Sequence, residues 1–341
     1  MQEASFGVMH LAAPQRSEES IQISIPLCTF NGAKYLRLQM DSVLAQTFSC
    51  LEVIAVDDGS TDETVAILQD YAARDPRVKV VCNPANLGFR ANFEYAMSLC
   101  SGQFIAPCDQ DDVWLPNKLQ RLMGAMGDHA LAYCDSTLID GDGRSMNLKM
   151  SDMLTMPSTD DRVVFAFDNC VSGHAMLFRR HLLQDAFPVP SEFFYDWWLA
   201  ALATGHGGIV FVDQPLVEYR RHVASVTGQI DADTPVAKAS ALPERLRKWR
   251  DTGRRIELLA ALPGGQRQFL HDWSELWKGR ETQWFSPALA WWMLRHCQRI
   301  HLIKGQLPAS KRHLWRRMLR YIVGFKVKRL QQQIRSRSGG A

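Results

Sequence analysis

Three carboxylates within four residues stand in the run Cys108-Asp109-Gln110-Asp111-Asp112-Val113-Trp114, directly after the apolar stretch 104–107. Like charges this close repel, so such a cluster persists where a cation or a hydrogen-bond network compensates it. A D-x-D turn suits a hard divalent ion, Mg²⁺ or Mn²⁺, that keeps coordination positions open for phosphate oxygens. Asp112 has a simpler role available, capping a helix that begins near Leu115-Pro116. About fifty residues upstream, Val56-Asp57-Asp58-Gly59-Ser60-Thr61-Asp62 also closes an apolar run. One carboxylate of that pair can bond the turn backbone, and the two motifs together read as two walls of one crevice. Further on, Asp196 in Phe194-Tyr195-Asp196-Trp197-Trp198 begins a helical stretch, where an N-cap and a proton acceptor are equally open readings. Glu218-Tyr219-Arg220-Arg221-His222 offers a histidine for a metal shell and arginines for phosphate oxygens.

These groups need elements to position them. Apolar β-rich runs at 21–27, 51–56, 78–81, 104–107 and 130–133 alternate with stretches of helical apolar spacing. Leu36, Val43 and Leu44 mark the first such stretch, Val65, Leu68 and Ala72 the second, and Phe93, Ala96 and Met97 the third. Strands buried on both faces and joined by helices build a parallel sheet with crossovers, and ligands bind outside the carboxyl ends of such strands. Residues 140–161 are polar and Met-rich without a period, which predicts a surface loop or lid. β-like pieces return at 175–178, 209–212 and 216–219, with a helix from 196 to 203 between them.

The chain has 341 residues, 46% hydrophobic and 22% charged, which excludes a disordered or disulfide-stapled protein. Its net charge of +3 conceals an asymmetry: residues 241–341 hold 22 basic and 6 acidic side chains. Seven of the ten tryptophans lie there too. Trp315, Met318, Leu319, Ile322 and Val323 recur at helical spacing among Lys311, Arg312, Arg316, Arg317 and Arg320, the pattern of a basic amphipathic helix at a membrane surface. The longest apolar runs, 197–203 and 288–294, have seven residues each, against about 20 for a membrane span. The first twenty residues carry no secretory signature, and eight cysteines without CxxC pairs fit a reducing cytosol.

The stretches ISIPLCTFNGAKYLRLQMDSVLAQTFSCLEVIAVDDGSTDETVAIL and NLGFRANFEYAMSLCSGQFIAPCDQDDVWLPNKL resemble glycosyltransferase family 2, the inverting nucleotide-sugar transferases of the GT-A fold. DQDDVWLPNKL, GHAMLFRR, YDWWLAALA and EYRRH are most similar to the bacterial rhamnosyltransferase-type members that build surface polysaccharide such as O-antigen. The resemblance spans about residues 21–225. It implies an α/β architecture, a Rossmann-like and mostly parallel central sheet that binds nucleotide-sugar, with a basic helical C-terminal extension. The implied division is a tail at 1–20, a transferase domain at 21–235 and a Trp-rich membrane-associating region at 236–341.

The resemblance also implies roles. Asp58 matches the contact to the N3–H of uracil or thymine, with Cys28, Asn31, Asn86, Gly88 and Arg90 lining the nucleotide half of the cleft. Cys28 stands where some members have a hydroxyl residue. Asp109 matches the aspartate facing ribose or sugar and Asp111 the one that holds Mg²⁺ or Mn²⁺; His222, read from its place at a strand's end and not from the resemblance, either completes the metal shell or binds diphosphate. Asp196 is the base, and Asp112, Gly173, His174 and Trp197 belong to the sugar and acceptor side. The expected reaction moves a sugar from dTDP-rhamnose or a UDP-sugar to a saccharide, lipid-linked, on the cytoplasmic face of an anionic membrane that the C-terminal region grips; nucleic acid is not an expected partner. The competing readings are a haloacid-dehalogenase-type phosphohydrolase, because Asp109–Val113 fits D-x-D-x-[TV], and an inactive membrane-tethered scaffold.

Overall fold

The computed structural model describes residues 22–222 and 242–303. The N-terminal tail and the amphipathic stretch around Trp315 lie outside them. Strands β1 (Ile23–Thr29) and β2 (Leu51–Asp57) are buried at all seven positions, as runs of Val, Ile and Leu must be when both sheet faces are covered. Period-two alternation divides their side chains. Ile23, Ile25, Leu27, Val53 and Ala55 join one core with α1 (Ala33–Leu44), α2 (Thr64–Arg74) and α4 (Lys118–Met126). Cys28, Ile54 and Val56 join the opposite core with α3 (Phe89–Ser98).

Strand β3 (Val78–Cys82) and strand β4 (Phe104–Ile105) extend the parallel part, in the order β3-β2-β1-β4. The sheet then turns mixed. Next to β4 comes β8 (Met176–Arg179), antiparallel, followed by β6 (Leu131–Ile139), β9 (Ile209–Arg220) and β5 (Val113–Trp114). The fifth expected strand is therefore β6, separated from the other four by an antiparallel neighbour. The pieces expected at 209–212 and 216–219 are one strand, whose register against β6 shifts at Cys134–Ser136. Nor are residues 140–161 a featureless loop: β7 (Ser145–Lys149) forms a hairpin with β6 and leads into the short helix α5 (Met150–Met153). Helix α4 starts at Lys118, so Asp112 caps nothing.

Two further helices, α6 (Leu183–Ala186) and α7 (Tyr195–Ala203), precede the C-terminal helices α8 (Leu242–Ala261), α9 (Arg267–Thr282), α10 (Pro287–Arg295) and α11 (Cys297–Ile300). These last four are not a separate appendage. Ile256, Leu259, Leu270, Trp273, Trp277, Leu289 and Met293 bury in the same core as Val163, Phe165 and Trp198. Asp161 receives both Arg299 Nε and Nη2, at 2.5 and 2.9 Å. Most of the tryptophans expected at a membrane are thus core: Trp273 and Trp277 are sealed, and Trp249 and Trp292 pack against them.

Candidate active site

The carboxyl ends of β1, β2 and β4 open on one cleft of about 830 Å³. At the end of β2, Asp57 is spent on the turn. Its carboxylate accepts Thr29 Oγ1 and the backbone N–H groups of Gly59 and Ser60, which fixes the positive φ of Gly59. That leaves Asp58 aimed at the cleft. Asp58 Oδ1 accepts Asn83 Nδ2 and Leu87 N–H at 2.8 Å, and Oδ2 accepts Gly88 N–H at 2.9 Å. An ionised carboxylate offers about four acceptor sites, so one remains for a ligand donor.

Past β4 the pairing with β1 continues to Cys108, through Leu27 and the bond from Cys108 N to Pro26 O. The following residues splay apart. Asp109, Gln110 and Asp111 face the cleft, and Asp112 turns inward, 1% exposed, to accept the Arg220 N–H at 2.9 Å. The Arg220 side chain donates to the carbonyls of Asp111 and Asp140 at 2.7 and 3.1 Å and lies over the Tyr35 ring. It clamps the acidic loop. Gln110 bonds both the N–H and the carbonyl of Phe30, tying that loop to the start of α1. His222 Nε2 lies 2.7 Å from Asp111 Oδ2.

Behind this wall sits a buried cluster in which Asp109, Asp112 and His174 present ligand atoms within 4.8 Å of one another. Among the described residues Asp112 Oδ2 has no hydrogen-bond partner, a costly position for a carboxylate. Burial and repulsion from Asp111 and Asp109 push the Asp112 carboxyl well up. Burial, with repulsion from Asp111 and Asp196, raises Asp109 to about 7. The Lys118 ammonium, wholly buried over the Trp114 ring, donates to His174 O, and desolvation lowers it to about 8. His174 is held neutral, down to about 3, by burial first and Lys118 second.

Asp196 lies in the first turn of α7, whose N-cap is Phe194, so it is not the cap itself. It accepts its neighbour Trp197 N–H at 2.6 Å and the N–H of Gly173. Burial lifts it to about 6, with those two donors opposing. A carboxylate in this range takes a proton readily at neutral pH.

The cleft brings together Cys28, Asn31, Asp58, Asn86, Asp109, Asp111, Gly173, His174, Asp196 and His222. Three expected site residues stand outside its lining. Arg90 donates instead to the carbonyls of Pro190 and Ser191. Asp112 is sealed beneath the loop, and Trp197 points into the core, with Nε1 donating to Phe165 O. Cys28 is a buried neutral thiol, its pKa driven up by desolvation and then Asp109. Arg220 is committed to backbone carbonyls. Sequence reasoning missed Phe194, 43% exposed at the cleft, and Tyr35 and Phe89. The aromatic run around Asp196 is the sequence signal for Phe194, which lines the cleft where Trp197 does not.

The family profile described as Glycosyl transferase family 2 matches residues 24–187. An uncharacterized glycosyltransferase of Haemophilus influenzae is 31% identical over 112 residues, covering 32% of this chain and 35% of its own length. The putative glycosyltransferase EpsH of Bacillus subtilis is 26% identical over 221 residues, covering 61% and 63%. The chain thus spans between about a third and two thirds of the length of these curated relatives. Among solved structures, S. aureus TarS 1–349 in complex with UDP-GlcNAc shares the fold, at TM-score 0.54 and 17% identity, over 87% of this chain and 79% of that one. A dehalogenase-type core is not what the sheet order forms, since Asp109 follows the fourth strand, beyond a second aspartate motif. The chain thus has the GT-A fold, and its residues 24–187 match the glycosyl transferase family 2 profile.

Proposed function

We propose that this protein transfers a glycosyl group from a nucleoside diphosphate sugar to a saccharide hydroxyl by a single displacement that inverts the anomeric centre. The observation that carries this reading is the convergence of Asp58, Asp109, Asp111 and Asp196, from separate elements, on one cleft at the strand tips. Asp58 reads the base: its remaining acceptor site suits the N3–H of uracil or thymine, so UDP- and dTDP-sugars, dTDP-rhamnose among them, form the donor class. TarS, solved with UDP-GlcNAc, supports a uridine donor.

The residues fit a divalent cation. Asp111 and His222 present an oxygen and a nitrogen 2.7 Å apart on the cleft wall, a pair whose carboxylate suits Mg²⁺ or Mn²⁺. The Asp109–Asp112–His174 group also has the spacing, but Lys118 already supplies a positive charge there and two of its members are sealed. We therefore assign the ion to Asp111 and His222, where it would neutralise charge on the departing diphosphate. Asp109 faces the donor ribose or sugar. Asp196 accepts the acceptor hydroxyl's proton, with the Trp197 and Gly173 N–H groups fixing its orientation. Gly173 and His174 close the acceptor side, and Phe194 offers the sugar an aromatic face in place of Trp197.

The acceptor is a lipid-linked saccharide of bacterial surface polysaccharide, reached at the membrane face. The test is a thermal-shift panel of UDP-, dTDP- and GDP-sugars with and without Mn²⁺, since ligands that bind the native state raise its melting temperature. Upshifts for UDP or dTDP donors that require the metal support the reading; equal shifts with GDP donors, or none, refute it.

A further inference from the structure

Where α9 hands over to α10, the chain leaves its largest apolar side chains uncovered. Trp284, Phe285 and Trp291 are 49%, 61% and 59% exposed, although Leu289, Met293 and Ile300 of the same segment are sealed in the core. Along α10 and α11 the exposed positions Ala288, Trp291, Arg295, Gln298 and Leu302 recur every three or four residues. They mark the outward side of these two short helices and of the turn that follows. The cation on that side, Arg295, sits 5.3 Å from the Trp291 ring centroid. From residue 282 to 341 the sequence holds 13 Lys/Arg and no Asp or Glu.

Trp284, Phe285, Trp291 and Leu302 gather exposed large apolar side chains into one short stretch of chain, where exposure to water is costly. Its chemistry selects the occupant. Tryptophan and phenylalanine beside arginine favour a lipid–water boundary, where rings enter the acyl edge and guanidinium groups stay with headgroups. A second copy is a poor occupant, because a two-fold contact would set Arg295 against its own copy with no acidic residue in 282–303 to pair it. No helix among the described residues is long and apolar enough to span a bilayer.

We infer that Trp284, Phe285, Trp291 and Leu302 seat the protein on an anionic phospholipid surface, with Arg295 meeting the headgroups. This deepens the acceptor side of the reading above, which it needs only for the purpose of the contact. The test sediments the full chain with phosphatidylcholine vesicles and with vesicles that also contain phosphatidylglycerol. The wild type partitions onto the anionic vesicles and is released by salt, which screens the headgroup attraction. The triple variant W284S/F285S/W291S loses at least about tenfold in partition, with its melting temperature unchanged. Equal partition of variant and wild type, equal binding to neutral vesicles, or a dimer that the variant dissociates in place of vesicle binding would each overturn the inference. Vesicle binding without sugar transfer sinks the transferase reading alone; transfer without vesicle binding sinks this one alone.

Discussion

Replacing Asp196 by asparagine separates what the carboxylate does for chemistry from what it costs the fold. Burial raises Asp196 from 3.8 to about 6. A carboxyl whose folded pKa lies above its unfolded one favours the fold in its protonated form. That stability is complete below about pH 4 and is lost as pH rises through about 6. At pH 8 the wild type therefore carries a penalty of about 3 kcal/mol, two pKa units at ~1.4 kcal/mol each. At pH 4.5 the penalty is only about 1 kcal/mol, because the folded carboxyl is then mostly protonated. Asparagine is nearly isosteric and its Oδ1 can still accept the Trp197 N–H, but it never ionises. Urea denaturation should thus find Asp196→Asn more stable than wild type by about 3 kcal/mol at pH 8, and by about 1 kcal/mol at pH 4.5. Nucleotide release coupled to transfer should fall by about 10²–10⁴ for want of a proton acceptor, with donor binding retained. A stability gain of the same size at both pH values refutes the burial argument. Wild-type turnover in the variant refutes the assignment of the base.

Other outcomes follow from other contacts. Asp111→Ala or His222→Ala should abolish the Mn²⁺-dependent part of the donor-induced thermal shift, measured by titrating the metal at fixed nucleotide. Arg220→Gln leaves the carbonyls of Asp111 and Asp140 short of a donor and should cost about 1–3 kcal/mol in urea titrations; because the arginine holds the loop that carries Asp111, Mn²⁺ affinity should fall with it. Trp273→Ala, deep in the shared core, should cost about 3–5 kcal/mol, read by thermal melting, and truncation before residue 242 should yield insoluble protein instead of a soluble domain. Phe194→Ala should raise the KM for acceptor and leave the KM for donor unchanged, checked by varying each substrate in turn.

The strand tips were legible because their signals are local. An apolar run ending in Asp-Asp-Gly or Asp-x-Asp places carboxylates at a sheet edge whatever lies elsewhere. What was not legible depends on partners far along the chain. Asp112 turns inward because the N–H of Arg220, 108 residues on, meets it there. Trp197 and Phe194 differ by three positions at a helix start, and the core decides which faces out: Phe165 O takes the indole N–H of one and leaves the other at the cleft. Strand β8 slips between β4 and β6 because pairing partners are chosen across the sheet, which period-two alternation does not specify. The membrane reading of the tryptophans averaged composition over all faces of the C-terminal helices. Spacing was the better guide, since Leu270, Trp273 and Trp277 mark one stripe of α9, and that stripe is core.

The C-terminal helices also reach the chemistry. Behind Asp196 on α7, the Arg255 guanidinium of α8 stacks 4.6 Å from the Trp197 ring, and the indole N–H is held by Phe165 O. The next residue, Trp198, donates to Ala186 O. The turn that carries Asp196 is thus pinned from the side away from the cleft, partly by a helix outside residues 24–187. Asp58 and Asp111 sit on other strand tips and share none of these contacts. Substituting Trp197 by leucine should therefore lower kcat, as Asp196 loses its fixed aim, while the donor KM stays near wild type. If donor KM rises instead and kcat holds, α7 serves the nucleotide half, and the division of labour between strand tips and helical backing fails.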